Sequence, residues 1–441
     1  MLLCAVLLQI AGLAGCASFP NIPPFFEREG DLPGDVFEER ALFGIATART
    51  SRDGSRTLAI RPFIVRREPA DGGRYTQYLT PFAYRNQTQS SESFTIWPFL
   101  YDTSFGSDRD REEEQSDDDV WIFPLVAWGD EPGQGDYLLV LPFGGTLKGK
   151  FLSEELTTWA FPVYVRVKDG GWSSTHILWP LAAKGSGDGR EHFRVLPFWS
   201  ATDSPTGHSR SLLWPFVHWS TRERNDRTVD SWFAFPFYGR TDSRDGTYAQ
   251  WTALYPFFQF SEDTRSGDTH ESILWPFYKR DVRPGQSVSR WYWPFWGEYV
   301  SEDEESTFYA WPIVWDQSEI SGGGRRRERT YVVPLWMRSE TIQPDGETRS
   351  LALRSWPAFS WSESAEGLED LRIPNISPVF GWEAGEIAYS DLVTLFRWRA
   401  DRKGRVAWDG PLGIVRYRRG FFGDRKLTLL WWIDIPLGND S

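Results

Sequence analysis

A short apolar word centred on proline recurs along nearly the whole chain, and it restricts the possible folds more than any other feature. It reads Ile96-Trp97-Pro98-Phe99, Leu178-Trp179-Pro180-Leu181, Leu213-Trp214-Pro215-Phe216, Leu274-Trp275-Pro276-Phe277, Tyr292-Trp293-Pro294-Phe295 and Ala310-Trp311-Pro312-Ile313, with looser copies between. Self-similarity at a fixed period means one structural unit repeated many times. The prolines fall at Pro62, Pro81, Pro98, Pro124, Pro142, Pro162, Pro180, Pro197, Pro215, Pro236, Pro256, Pro276, Pro294, Pro312, Pro334, Pro357 and Pro378, with gaps of 17 to 26 residues. After Pro378 the word decays, although residues 392–399, 413–418 and 427–435 still read as strands. Atypical terminal units are expected of an array.

Every unit has the same grammar. A run rich in aromatic and β-branched residues is followed by a polar turn such as Asp169-Gly170-Gly171, Gly185-Ser186-Gly187-Asp188-Gly189 or Arg244-Asp245-Gly246. These are strand and turn signals, repeated too often for helices to fit between them. One strand of roughly ten residues per unit predicts an all-β antiparallel meander of about 18–20 strands. Around Pro215, Leu213 and Val217 fall on one face and Leu212, Trp214 and Phe216 on the other, so strand centres covered on both sides are expected. Proline cannot donate to a ladder, and its presence in nearly every unit is read as a bulge or corner at constant height. Curvature repeated in register favours closing the sheet into a large barrel or cage, with a β-propeller or β-solenoid as the alternatives. A single repetitive domain is expected from about residue 41 to 437.

Composition narrows the function classes. The net charge of −13 argues against a nucleic-acid partner, because phosphate binding needs a basic surface. The aromatic share is 16%, with 25 Trp, enough apolar mass for an extended core. Core packing is accordingly the expected role of the proline-centred word, ahead of a lipid-facing belt or a glycan-stacking platform.

The chain opens on an apolar run at residues 2–13, too short to span a bilayer, followed by Leu13-Ala14-Gly15-Cys16. This segment resembles the lipobox of bacterial lipoproteins, and the likeness is confined to these first residues. It implies a signal peptide at 1–15, a diacylglycerol thioether and usually an N-acyl chain (palmitate, for example) on Cys16, and attachment to a membrane through those chains. With Ala17 and Ser18 following and no Asp in the second mature position, the resemblance implies export to the outer membrane of the cell envelope, on its periplasmic or its surface-exposed side. Residues 16–40, with Pro20, Pro23, Pro24 and Pro33, read as a tether. Cys4 would be removed and Cys16 acylated, leaving no disulfide. The body resembles Trp-Pro-Phe-rich repeat lipoproteins of bacteria, a likeness that implies no known activity.

No catalytic, cofactor-binding or metal-binding residue is assigned. The acidic runs at residues 108–119 and Glu302-Asp303-Glu304-Glu305 lack the spacing of a calcium loop and read as solvated loops. Arg325-Arg326-Arg327 reads as an exposed turn. His176, His192, His208, His218 and His270 lie in or beside strands without metal-ligand spacing. Neither a nucleophile elbow nor HExxH is present. The expectation is a lipid-anchored structural or binding protein without catalytic activity, its partners the membrane and envelope glycans or other outer-membrane proteins. The alternatives are an acylated outer-membrane β-barrel involved in transport, and a carbohydrate-binding or carbohydrate-cleaving envelope protein.

Overall fold

The computed structural model describes residues 21–105, 117–224, 226–377 and 385–439. Among these the chain forms 41 strands of four to eight residues, and helical turns only at Glu386–Ser390, Asp391–Val393 and Pro411–Gly413. The all-β class and the antiparallel meander follow the turn signals. The strand count does not: it is about double the expected 18–20, because each unit contributes a hairpin and not one long strand.

The reason lies in the proline-centred word. Tyr164–Asp169 reverses at Gly170-Gly171 into Trp172–Ile177, which reverses again at Leu178-Trp179-Pro180-Leu181 into Ala182–Gly187. The word is therefore a turn and not a bulged strand centre. Proline lacks the amide hydrogen that a ladder position must donate, and a reversal is where that loss is harmless. The peptide bond before the proline is cis in most of the words. Many of these turns close on themselves through a backbone bond, such as Leu181 N–H to Leu178 O at 2.8 Å and Phe216 N–H to Leu213 O at 2.8 Å. Neighbouring words also bond to one another: Trp179, Trp214 and Tyr255 donate to the carbonyls of Pro162, Pro197 and Pro236 at 2.8, 2.6 and 2.6 Å. Because a meander places alternate turns on opposite edges, within each ladder the words gather on one edge and the polar turns on the other.

The chain divides into two compact units, residues 98–311 and the combination of 1–97 with 312–441. The first contains twenty-two strands, Leu100–Phe105 through Glu304–Tyr309, each paired with its sequence neighbour. Its two faces are inverted with respect to an ordinary half-buried sheet. One face carries Thr158, Ser174, Ala183, Ser211, Ser220, Thr252, Ser272 and Ser289, all buried. The opposite face carries Trp159, Ile177, Val195, Leu212, Trp232, Trp251 and Tyr292, all exposed. Small side chains on the buried face make room for cross-strand rings: Phe308 stands opposite Gly297 and Phe233 opposite Gly239. A Cβ on Gly297 would lie 2.1 Å from the Phe308 ring.

The other unit contains eight N-terminal strands, Phe26–Leu32 through Ser91–Ile96, and eleven C-terminal ones, Val314–Ser321 through Ile433–Asn439. The sheet thus begins at Phe26, inside the stretch read as a tether. Closure into a barrel or cage does not occur. Among the described residues Phe26–Leu32 pairs only with Val36–Ala41, and Ile433–Asn439 only with Asp424–Leu429. Both end strands carry features that discourage further pairing: Glu27, Arg28 and Glu29 in one, Pro436 and Gly438 in the other. Consecutive antiparallel neighbours within each ladder likewise match neither propeller blades nor a solenoid. Apolar cores are small, one around Phe26, Ala41, Ala46 and Ala48 and another around Ala59, Val65 and Ala388.

The Gly297–Phe308 fit gives a direct check. Gly297→Ala should lower the urea-unfolding stability by about 1–3 kcal/mol through overpacking. Gly322→Ala, where an added Cβ meets nothing within 4 Å, should leave the midpoint unchanged.

Candidate functional site

In the unit that joins the two chain ends, registered strands bring charged side chains onto one face of each ladder. Glu38 stands opposite Arg49, Arg397 opposite Asp409, and Asp409 opposite Arg416. The two faces meet. Glu38, only 1% exposed, lies 3.1 Å from Arg40, 3.0 Å from Arg49 and 3.8 Å from Arg399. Asp409 lies 2.6 Å from Arg418 and 3.6 Å from both Arg40 and Arg399. Glu27 pairs with Arg416 and Glu29 with Arg418. The first strand is thus joined by side chains to Val415–Arg419, two strands before the last.

A helical stretch at residues 386–393 completes this lattice. Its Asp391 accepts from Arg61 at 2.5 Å and Arg49 at 2.9 Å. Arg61, 2% exposed, also donates to the carbonyls of Gly44 and Ile387 and to Thr47 Oγ1. Tyr389 donates its hydroxyl to the carbonyl of buried Thr80 at 2.7 Å. The expected array missed this plug, yet a signal for it exists in the sequence. Where the words from Pro98 to Pro357 place Trp, Phe, Tyr, Leu or Val before proline, Ile60-Arg61-Pro62 and Leu79-Thr80-Pro81 place polar residues.

Burial alone would raise Glu38, Asp370, Asp391 and Asp409, but the surrounding guanidiniums hold all four well below the usual carboxylate range. Arg399 is pushed down to about 10 by burial, with Arg397 adding repulsion. Its Nε and Nη2, Arg416 Nε and Asp409 Oδ2 have no hydrogen-bond partner. A cleft lined in part by Arg40, Arg397, Arg416, Phe43, Leu412 and Trp431 opens beside them.

The buried face of the other unit carries hydroxyl–imidazole contacts: Ser174 with His176 at 3.1 Å, Thr202 with His192 at 2.8 Å and Ser211 with His218 at 2.9 Å. These do not assemble a nucleophile with an activating base. A relay needs a carboxylate on the second imidazole nitrogen, whereas His176 Nδ1 faces Arg194 at 3.3 Å. Burial, and next the Arg194 charge, lower the pKa of His176 and His192, and burial with Arg222 lowers that of His218. At His270 the partner is Asp281, which burial would raise but which hydrogen bonds from His270 and Lys279 bring down to about 2.

The remaining expected features fall as follows. Cys16 and residues 108–116 of the acidic run lie outside the described residues. Its last residues are not a solvated loop: Asp117, Asp118 and Asp119 belong to the strand Asp117–Ile122, and Lys150 pairs with Asp119 at 2.8 Å and with Asp117 at 3.3 Å. Arg325, Arg326 and Arg327 open the strand Arg325–Val332, after the turn at Gly322-Gly323-Gly324. All five histidines lie in strands. Among the described residues no group of three or more His, Cys, Asp or Glu side chains converges as a metal site.

The largest departure from expectation concerns the proline-centred words, which do not form the core. Trp97, Trp179, Trp214, Phe216, Trp275, Phe277 and Phe295 are exposed at the turn edge. At the opposite edge the turns are polar, save the exposed pairs Phe151-Leu152 and Phe421-Phe422. No protein-family model and no curated protein matches the chain.

Two measurements follow. Glu38→Gln leaves the guanidiniums around it uncompensated and should destabilise that unit by about 3–5 kcal/mol in urea unfolding. The depressed histidines make the other unit acid-sensitive. Their neutral forms fit the fold, so that contribution is complete above the unfolded value of about 6.5 and is lost as pH falls from there towards the folded values. The urea midpoint should fall between about pH 7 and pH 5, and a His176→Gln, His192→Gln, His218→Gln variant should flatten this slope.

Proposed function

We propose that the protein is a lipid-anchored component of the bacterial outer membrane and cell envelope, held through acyl chains on Cys16, and that it works as a scaffold or binding surface without catalysing a reaction. The observation that carries this reading is the outward display of the words: Trp97 in one unit, and Trp214, Phe237 and Phe295 in the other, are turned to solvent along the word edge of their own unit. Contiguous exposed apolar surface of this kind marks contact with a membrane or a partner. Buried polar groups such as Glu38, Asp409 and Ser211, by contrast, engage in ion pairs and hydrogen bonds that serve packing.

The alternative of a membrane-spanning acylated barrel is less well supported. Six-residue strands such as Tyr164–Asp169 and Trp172–Ile177 rise only ~20 Å at ~3.3 Å per residue, where a spanning strand takes about 9–11 residues. Glycan stacking has one favourable feature, the exposed Trp251 ring stacked 4.3 Å from Phe260, but Arg240, which stands opposite Trp251, is paired with Asp242.

Metabolic labelling tests the anchor. The wild-type protein should incorporate labelled palmitate and sediment with the outer membrane. Cys16→Ala should incorporate none, and unchanged labelling in that variant would overturn the reading.

A further inference from the structure

We propose that the edge formed by the proline-centred turns is a membrane-contact surface that beds into one bilayer leaflet, at the boundary between headgroups and acyl chains, independently of any acyl chain on Cys16. The identity of the bilayer as the one carrying the anchor rests on the function proposed above; the contact itself does not.

The first argument is conformational. The residue opening the word has φ of +44° to +50° at Leu79, Leu178, Leu213, Leu254 and Leu274. Glycine or asparagine occupies such a left-handed position most easily, and a branched side chain there is strained. The chain nevertheless places leucine at this slot repeatedly, and each of these side chains is about half exposed. They contribute little to a core. An apolar side chain kept at a strained position, and turned outward, points to a use outside the fold.

The second argument is the order of side chains away from the edge. In the unit of residues 98–311, the exposed face next to the turns carries Tyr164, Ile177, Val195, Leu212, Ile273 and Tyr292. Two residues farther from the turns on this face stand the exposed cations Arg166, Lys184, Arg280 and Arg290, in a row shared with Phe193 opposite Lys184 and with Glu271 and Glu298 opposite Arg280 and Arg290. Two residues of strand span ~7 Å. An interfacial element buries its apolar part about 5–10 Å, with Lys and Arg reaching the phosphates and Trp at the boundary. Turn, apolar row and the cations of the mixed row beyond it follow that sequence of layers.

The third argument is where the chain enters. In the unit of the two chain ends, Ile22, Pro23, Pro24 and Phe25 lie on the turn edge. Leu42 and Phe43 donate to the carbonyls of Phe25 and Pro24, and Trp432 Nε1 donates to that of Pro23. Ile22 and Trp432 are exposed. Cys16 precedes Ile22 by six residues, a span of at most ~20 Å when fully extended. An acyl anchor at Cys16 therefore brings this edge, and not the polar one, to the leaflet.

The test uses the chain from residue 16 with Cys16→Ala, which keeps every described residue and cannot be acylated. It is floated with vesicles of equimolar phosphatidylethanolamine and phosphatidylglycerol. The protein should float, and its tryptophan emission should be quenched by brominated acyl chains. Two sets of serine substitutions at exposed positions, one at Phe143, Phe237 and Phe295 and one at Phe63, Phe82 and Trp97, should each weaken vesicle binding by about tenfold or more, with the urea midpoint unchanged. Glutamine at Arg166, Lys184, Arg280 and Arg290 should weaken binding to these vesicles but not to pure phosphatidylcholine. Absence of flotation, or flotation unaffected by the serine variants, overturns the proposal. So does loss of a concentration-dependent dimer, in place of vesicle binding, in those variants, since the occupant would then be a second copy. Vesicle binding without palmitate labelling would remove the anchor and leave this contact standing; labelling without vesicle binding would do the reverse.

Discussion

Proline has no amide hydrogen to give, and this deficiency governs where the chain reverses. A six-residue strand flanked by neighbours needs every N–H and C=O paired, so the proline-centred words are admitted only between strands. Once they are turns, the strands shorten, the number of strands doubles and within each ladder the words collect along one edge. The hydrogen bonds from one word to the next, such as Trp214 N–H to the Pro197 carbonyl, satisfy the turn backbone internally and leave its aromatic side chains free to face outward.

The inverted faces follow from the same geometry. Rings at the edge and on the exposed face remove bulk from the covered face, which then accepts Ser, Thr, Gly and hydrogen-bonded His. In the unit that joins the chain ends the covered face goes further and is filled with ion pairs. Buried ion pairs add little stability beyond what apolar residues of equal volume give, but breaking one is severe, so they discriminate strongly between correct and incorrect pairing. Glu38 with Arg399, Asp391 with Arg61 and Glu29 with Arg418 match strands from opposite ends of the chain, a task that a uniform repeat could not accomplish with identical apolar words.

Much of this was legible in particular residues. Turn clusters such as Asp169-Gly170-Gly171 announced reversals, and the density of such signals excluded helices between them. The words misled because Leu212 to Val217 is apolar at every position, which is equally the pattern of a strand buried on both faces and of an exposed turn between two apolar strand ends. Arg61 and Thr80, standing where the word usually holds an apolar residue, did mark the plug at residues 386–393, but only by their departure from a pattern whose own meaning was misread.

The period, the all-β class and the antiparallel order are written in short stretches of chain, because they depend on hydrogen-bonding deficits and backbone preferences that act within a few residues. Which side chains are covered is not local. Trp214 and Arg61 hold the same slot of the same word, one exposed and the other buried, because around Arg61 a segment more than three hundred residues away folds back to meet it.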